Sequence, residues 1–92
     1  MVEIVFESDN KRAAAYDEGK FVGESTFSAS QNLWIIDHTL VEEEYGGQEI
    51  ATRLVEKIVQ EARAQGIKII PLCPFAKREF DHKEEYRDVL AR

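Results

Sequence analysis

The sequence predicts an α+β fold: an antiparallel four-strand meander, a helix, a parallel fifth strand and C-terminal helices. Three observations lead to it. Short β-branched or aromatic runs in the first half of the chain are separated by clusters of turn formers, and connections that tight join antiparallel neighbours. Beyond them, Ile50, Leu54, Val55, Ile58, Val59 and Ala62 recur at helical spacing, and Gly66 closes the run. That helix lies between two strand-like runs, residues 33–41 and 67–72, the pattern of a crossover joining parallel strands.

The first strand is Val2-Glu3-Ile4-Val5-Phe6, ended by Ser8-Asp9-Asn10. Residues 11–16 make a second strand, whose three successive alanines leave its inward face unassigned. Asp17-Glu18-Gly19-Lys20 turns the chain. Residues 21–27 then alternate Phe21, Gly23, Ser25 and Phe27 against Val22, Glu24 and Thr26, a half-buried antiparallel strand. After Ala29-Ser30-Gln31-Asn32 comes the fourth strand, apolar at the consecutive positions Leu33-Trp34-Ile35-Ile36, which predicts that both its faces are covered. The helix covers one. Over the other, either long side chains curl or a second copy of the chain packs, as a homodimer. The helix is expected over residues 48–65, with Arg53, Glu56, Lys57, Gln60, Glu61 and Arg63 outward. Cys73 then caps a further helix with Pro74 at its first position, and residues 83–90 form a short amphipathic helix with Tyr86, Val89 and Leu90 inward.

Size and charge narrow the function. Ninety-two residues make one domain. The net charge of −6 is spread along the chain, which argues against nucleic acid as a partner. Apolar runs are too short to span a bilayer, and Glu3 and Glu7 interrupt any leader pattern. A single cysteine forms no internal disulfide and fits a reducing cytoplasm; with two distant histidines it lacks metal-ligand spacing. No metal and no membrane partner are therefore expected.

Three places carry candidate chemistry. A strand running through Gly46 and Gly47 into a helix presents free N–H groups and a positive dipole end, which suits an anion; read plainly, it is a flexible turn. Cys73 stands where a parallel strand ends and a helix begins, and the dipole there favours negative charge; read plainly, it is a small buried cap. Lys77 and Arg78 follow one turn on. His38 lies in phase with Trp34 and Ile36, with Asp37 and Thr39 on the opposite face; it is either a strand histidine bonded to a neighbour or a proton acceptor near the crevice. His82 and the run Glu42-Glu43-Glu44 read as solvated charge.

Asp37-His38-Thr39, Gly46-Gly47-Gln48-Glu49-Ile50-Ala51 and Pro71-Leu72-Cys73-Pro74-Phe75-Ala76-Lys77 resemble the minimal, single-domain GCN5-related N-acetyltransferases of the YjdJ-like type. The resemblance runs from Trp34 to the C-terminus. It implies an α/β, three-layer-like version of the fold, with acetyl-CoA (coenzyme A) as acyl donor and no metal. It also implies cofactor contacts from Thr39, Leu40, Val41, Gly46, Gly47, Gln48, Glu49, Ile50, Ala51 and Thr52. The family motif Gln/Arg-x-x-Gly-x-Gly/Ala places pyrophosphate on the turn and pantetheine in the gap between strands four and five. Ala51 matches; Gly46 stands in place of Gln or Arg, and Glu49 in place of glycine. Glu49 at the N3 capping position would compete with the cofactor phosphates for the same N–H groups.

By the same resemblance Cys73 is a candidate nucleophile, and two routes compete. A neutral amine attacks the thioester directly, with His38 as base, or Cys73 takes the acetyl group first. The larger relatives carry two helices that wall off the acceptor; this chain has none, so a protein or peptide side chain or another exposed amine, and not a small enclosed metabolite, is the expected acceptor. The rival reading is a degenerate binding module or acyl-CoA sensor in which Glu49 weakens the cofactor site.

Overall fold

The computed structural model describes residues 1–47 and 49–91. The expected architecture is present as one five-stranded sheet in the order β1 (Val2–Glu7), β2 (Arg12–Asp17), β3 (Lys20–Ser30), β4 (Leu33–Val41) and β5 (Lys68–Pro71). The first four strands are antiparallel, and β5 runs parallel to β4. Between them α1 (Ile50–Gln65) crosses one face, as an apolar stripe of Leu54, Val55, Ile58, Val59 and Ala62 requires; all five are fully buried. Against the stripe lie Ala13, Ala15, Val22 and Ile36, with a stacked cluster of Phe6, Phe27 and Trp34 alongside. Ala13 and Ala15 of β2 are explained by this layer, since small residues let α1 approach the sheet closely.

The tail closes the far edge. α2 (Pro74–His82) is followed by the short helix expected over residues 83–90, which is a 3₁₀ helix, Glu84–Val89. Tyr86 and Val89 are buried as expected, with Tyr86 against Phe80. Leu90 bridges to Ile69, and the Ala91 N–H donates to the Ile69 carbonyl at 2.8 Å. Among the described residues no helix is long and apolar enough to cross a membrane.

Two bulges change which residues share a face. On β3, Val22 is an extra residue between Phe21 and Gly23 in the pairing with β2, so Phe21 and Gly23 do not lie on one face and Val22 joins the core. On β4, Asp37 is extra between Ile36 and His38 in the pairing with β3. Trp34 and Ile36 face α1, but beyond the bulge it is Thr39 and Val41 that do so. The expected phase of His38 with Trp34 and Ile36 is corrected accordingly: His38 projects from the opposite face. A strict two-residue period carries no sign of an inserted residue.

That opposite face is partly roofed by long side chains. Arg12 donates to Glu7 at 2.7 Å and to Glu24 at 2.8 Å and lies 5.0 Å from the Phe21 ring centroid, over the fully buried Ala14. The Tyr16 hydroxyl donates to Glu7 as well, and with Arg12 it holds the Glu7 carboxyl below its usual range. The roof stops short of β4 and β5. There Ile35 is only half-buried beside Ile70, so the expectation of a strand covered on both faces is not met within one chain.

Candidate active site

Strands β4 and β5 pair only from Leu33 to Ile36. The last carbonyl of that ladder, Ile36, accepts from both the Leu72 N–H (3.0 Å) and the Cys73 N–H (2.9 Å), after which β5 turns away into α2. From Asp37 to Val41, β4 continues with β3 on one side and, among the described residues, no strand on the other. The Glu42 N–H donates to the Val22 carbonyl at 2.8 Å, which sets the phase of the β3–β4 ladder. By alternation Leu40 spends its main-chain groups on β3, whereas Thr39 and Val41 turn theirs into the gap.

Cys73 lies at the inner end of this gap, 7% exposed. It is the N-cap of α2, as expected from Pro74: its Sγ accepts from the Ala76 N–H at 3.3 Å. Thr39 Oγ1 lies 3.4 Å from the sulfur and 3.0 Å from the hydroxyl of the fully buried Ser25. A thiol, two hydroxyls and a helix N-terminus thus form one hydrogen-bonded string under the strand edge.

The outer end is a pocket of about 280 Å³ lined by Val41, Tyr45, Gly46, Gly47, Glu49, Ile50, Ala51, Thr52 and Phe75. It opens on the N-terminus of α1, which starts at Ile50 and not at residue 48. Glu49 is therefore the N-cap and not the N3 residue. Its backbone is left-handed (φ 59°, ψ 24°), and its side chain makes no capping bond. The first intrahelical bond runs from the Arg53 N–H to the Glu49 carbonyl at 3.1 Å, so the N–H groups of Ile50, Ala51 and Thr52 have no acceptor in a preceding helical turn. These are the donors an anion needs, and nothing in the Glu49 geometry occupies them.

Of the residues expected here, Val41, Gly46, Gly47, Glu49, Ile50, Ala51 and Thr52 meet at the pocket, while Thr39 joins Cys73 at the inner end of the gap, outside the pocket lining. Gln48 lies outside the described residues. Leu40 is 48% exposed on the other face and does not reach the pocket. His38 is on that face too, with Nε2 3.6 Å from Glu24. It is not brought together with Cys73. Lys77 pairs with Asp81 at 3.6 Å on exposed α2.

Sequence reasoning missed Tyr45 and Phe75 as pocket walls. The Tyr45 hydroxyl donates to Asp17 Oδ2 at 2.6 Å, and this bond pushes the phenol up to about 12. The same bond, with help from the N-terminal ammonium at 3.0 Å, lowers the Asp17 carboxyl. Tyr45 so ties the turn before α1 to the end of β2. An aromatic beside two glycines was the available signal.

A family model for GCN5-related N-acetyl-transferases matches residues 12–89. The chain belongs to this family. Among solved structures, this acetyltransferase-family chain is similar to a GCN5-like protein from Staphylococcus aureus, with 33% identity, a TM-score of 0.76, and 97% of this chain and 87% of the other covered. Two more distant likenesses show the fold. One is a ribosomal-protein-alanine N-acetyltransferase from Brucella melitensis (21% identity, TM-score 0.60, covering 88% of this chain and 61% of that one). The other is an acetyltransferase from Clostridium acetobutylicum solved with acetyl-CoA (16% identity, TM-score 0.58, covering 84% and 59%). No curated protein sequence matches the chain.

Proposed function

We propose that this chain is an acetyl-CoA-dependent N-acetyltransferase acting on an exposed amine, in a reducing, cytoplasmic setting. One observation carries the reading: the unpaired edge of β4 leads from the N–H groups of α1 to the sulfur of Cys73. The residues present fit the cofactor. Main-chain N–H groups at Gly47, Ile50, Ala51 and Thr52 suit its pyrophosphate, and Val41, Tyr45 and Phe75 offer an apolar wall to the pantetheine arm. Thr39 and Val41 offer strand-edge groups along the gap. Bound there, acetyl-CoA would supply an activated acetyl thioester.

The chain's own groups divide the remaining work. Thr39 and the Ala76 N–H orient the Cys73 sulfur, the nucleophile in the covalent route. With α1 and α2 on one face, the amine approaches from the other, where half-exposed His38, with Nε2 3.6 Å from Glu24, is the candidate base. Calorimetric titration with acetyl-CoA at low and moderate salt tests the reading, and micromolar binding is expected. Absence of binding at both salts would favour the rival, a binding module whose cofactor site Glu49 has closed. Turnover by Cys73→Ala would select direct transfer.

A further inference from the structure

Among the described residues, no side chain roofs the sheet face opposite α1 along the β4–β5 seam. Ile35 lies there beside Ile70, and Ile70, Leu40 and Leu72 are 37%, 48% and 65% exposed. Over β2 and β3 the same face is roofed by Arg12 and its partners, so the seam forms a distinct apolar strip.

At the end of this strip stands Asp37, the extra residue of the β4 bulge, where β4 and β5 part. Its carboxylate accepts from Thr26 Oγ1 at 2.6 Å and Ser28 Oγ at 3.0 Å. Among the described residues these neutral hydroxyls are its hydrogen-bond partners, and no cation pairs with it. The contrast with Glu24 on the same face is direct, since Arg12 lies 2.8 Å from Glu24 and matches its charge. Two hydroxyls orient the Asp37 carboxylate without neutralising it. A carboxylate so held is a seat for an ammonium group, and an apolar strip beside it suits the methylenes of a long cationic side chain.

We infer that the acceptor is a lysine side chain presented by a protein segment, its ammonium on Asp37 and its stem along Ile35, Ile70 and Leu72. The inference rests on the acetyl-transfer reading and gives that reading a substrate class and a specificity-determining residue. A chain α-amine would bring no methylene stem to the strip. A small diamine would leave most of the strip in water, where a peptide with apolar residues flanking its lysine covers it.

The test uses the full chain, isotope-labelled, with no acyl donor present. Titration with a lysine peptide flanked by apolar residues is expected to shift the amide signals of Thr26, Ser28, Asp37, Ile70 and Leu72. Acetylating the peptide's lysine beforehand, or changing Asp37→Asn, should weaken binding roughly tenfold, the size of one charge-assisted hydrogen bond. Thr26→Val, which keeps the charge and removes one orienting hydroxyl, should weaken it less. Equal binding of the acetylated peptide, equal binding of a simple diamine, or shifts confined to the α1 side would each overturn the inference. A separate acetyl-CoA titration reports at Gly47, Ile50 and Thr52. Its failure would strike the acetyl-transfer reading while the peptide result stands by itself.

Discussion

Glu49→Gly should make the protein both more stable and a better binder of acetyl-CoA, for two separable reasons. Glu49 holds a left-handed backbone (φ 59°) that an L residue enters at a cost of roughly 1–2 kcal/mol. Glycine has none of that strain but a more flexible unfolded chain, which returns roughly 0.5–1 kcal/mol. The net gain is about 0.5–1 kcal/mol, or about 2–8 °C in melting temperature for a domain this small. The second effect is electrostatic. Glu49 lines the pocket next to the donors of α1, so its negative charge is expected to repel phosphate. In high dielectric this is on the order of 1 kcal/mol, about fivefold in Kd at low salt, and it shrinks as the screening length falls to about 8 Å. Glu49→Gln should gain the affinity without the stability, because it keeps the Cβ. Glu49→Ala should behave likewise. Denaturation and calorimetry on the three variants read the two effects apart. A Glu49→Gly protein no more stable than Glu49→Ala refutes the strain argument; a Glu49→Gln protein with unchanged affinity at low salt refutes the charge argument.

Other expectations follow from single contacts. Gly23→Ala places a Cβ 2.9 Å from the Leu40 carbonyl at the end of the β3–β4 ladder, where Gly23 pairs with Val41; it should cost about 1–3 kcal/mol in denaturant unfolding and disturb the edge at Thr39 and Val41. Cys73→Ala should lose about 1 kcal/mol of cap stability, whereas Cys73→Ser keeps an acceptor for the Ala76 N–H and should hold near the parent in a melting curve. The Tyr45 phenol is raised from its ordinary value, so the stability of its bond to Asp17 is full below about pH 10 and is lost as pH rises through about 12. Since Tyr16 and Tyr86 are raised too, the difference between the phenolate absorbance titrations of the parent and Tyr45→Phe should isolate a late step; a difference step near pH 10 would mean that the bond is not formed in solution.

Much of the site was readable because its cues are local. Cys73 before Pro74 names a helix cap from two adjacent residues, and the structure places the Ala76 N–H on that sulfur. Gly46 and Gly47 before an amphipathic stripe announce a turn into a helix. The start of that helix was misplaced by two residues, because Glu49 reads as a good helix former and nothing local reveals a left-handed backbone. The bulge at Asp37 was equally silent: the partners of its carboxylate, the hydroxyls of Thr26 and Ser28, lie on the neighbouring strand.

The sequence by itself determined the elements, their order, the crossover that makes β5 parallel and the pairing of a glycine turn with a capping cysteine. Periodicity and turn chemistry act within a few residues, and those features live at that range. Tertiary structure decided which face His38 and Thr39 occupy, where β4 loses its partner, and that among the described residues Asp37 is held by hydroxyls and not by a cation. Each of these depends on register between strands, and one inserted residue reverses every side chain beyond it.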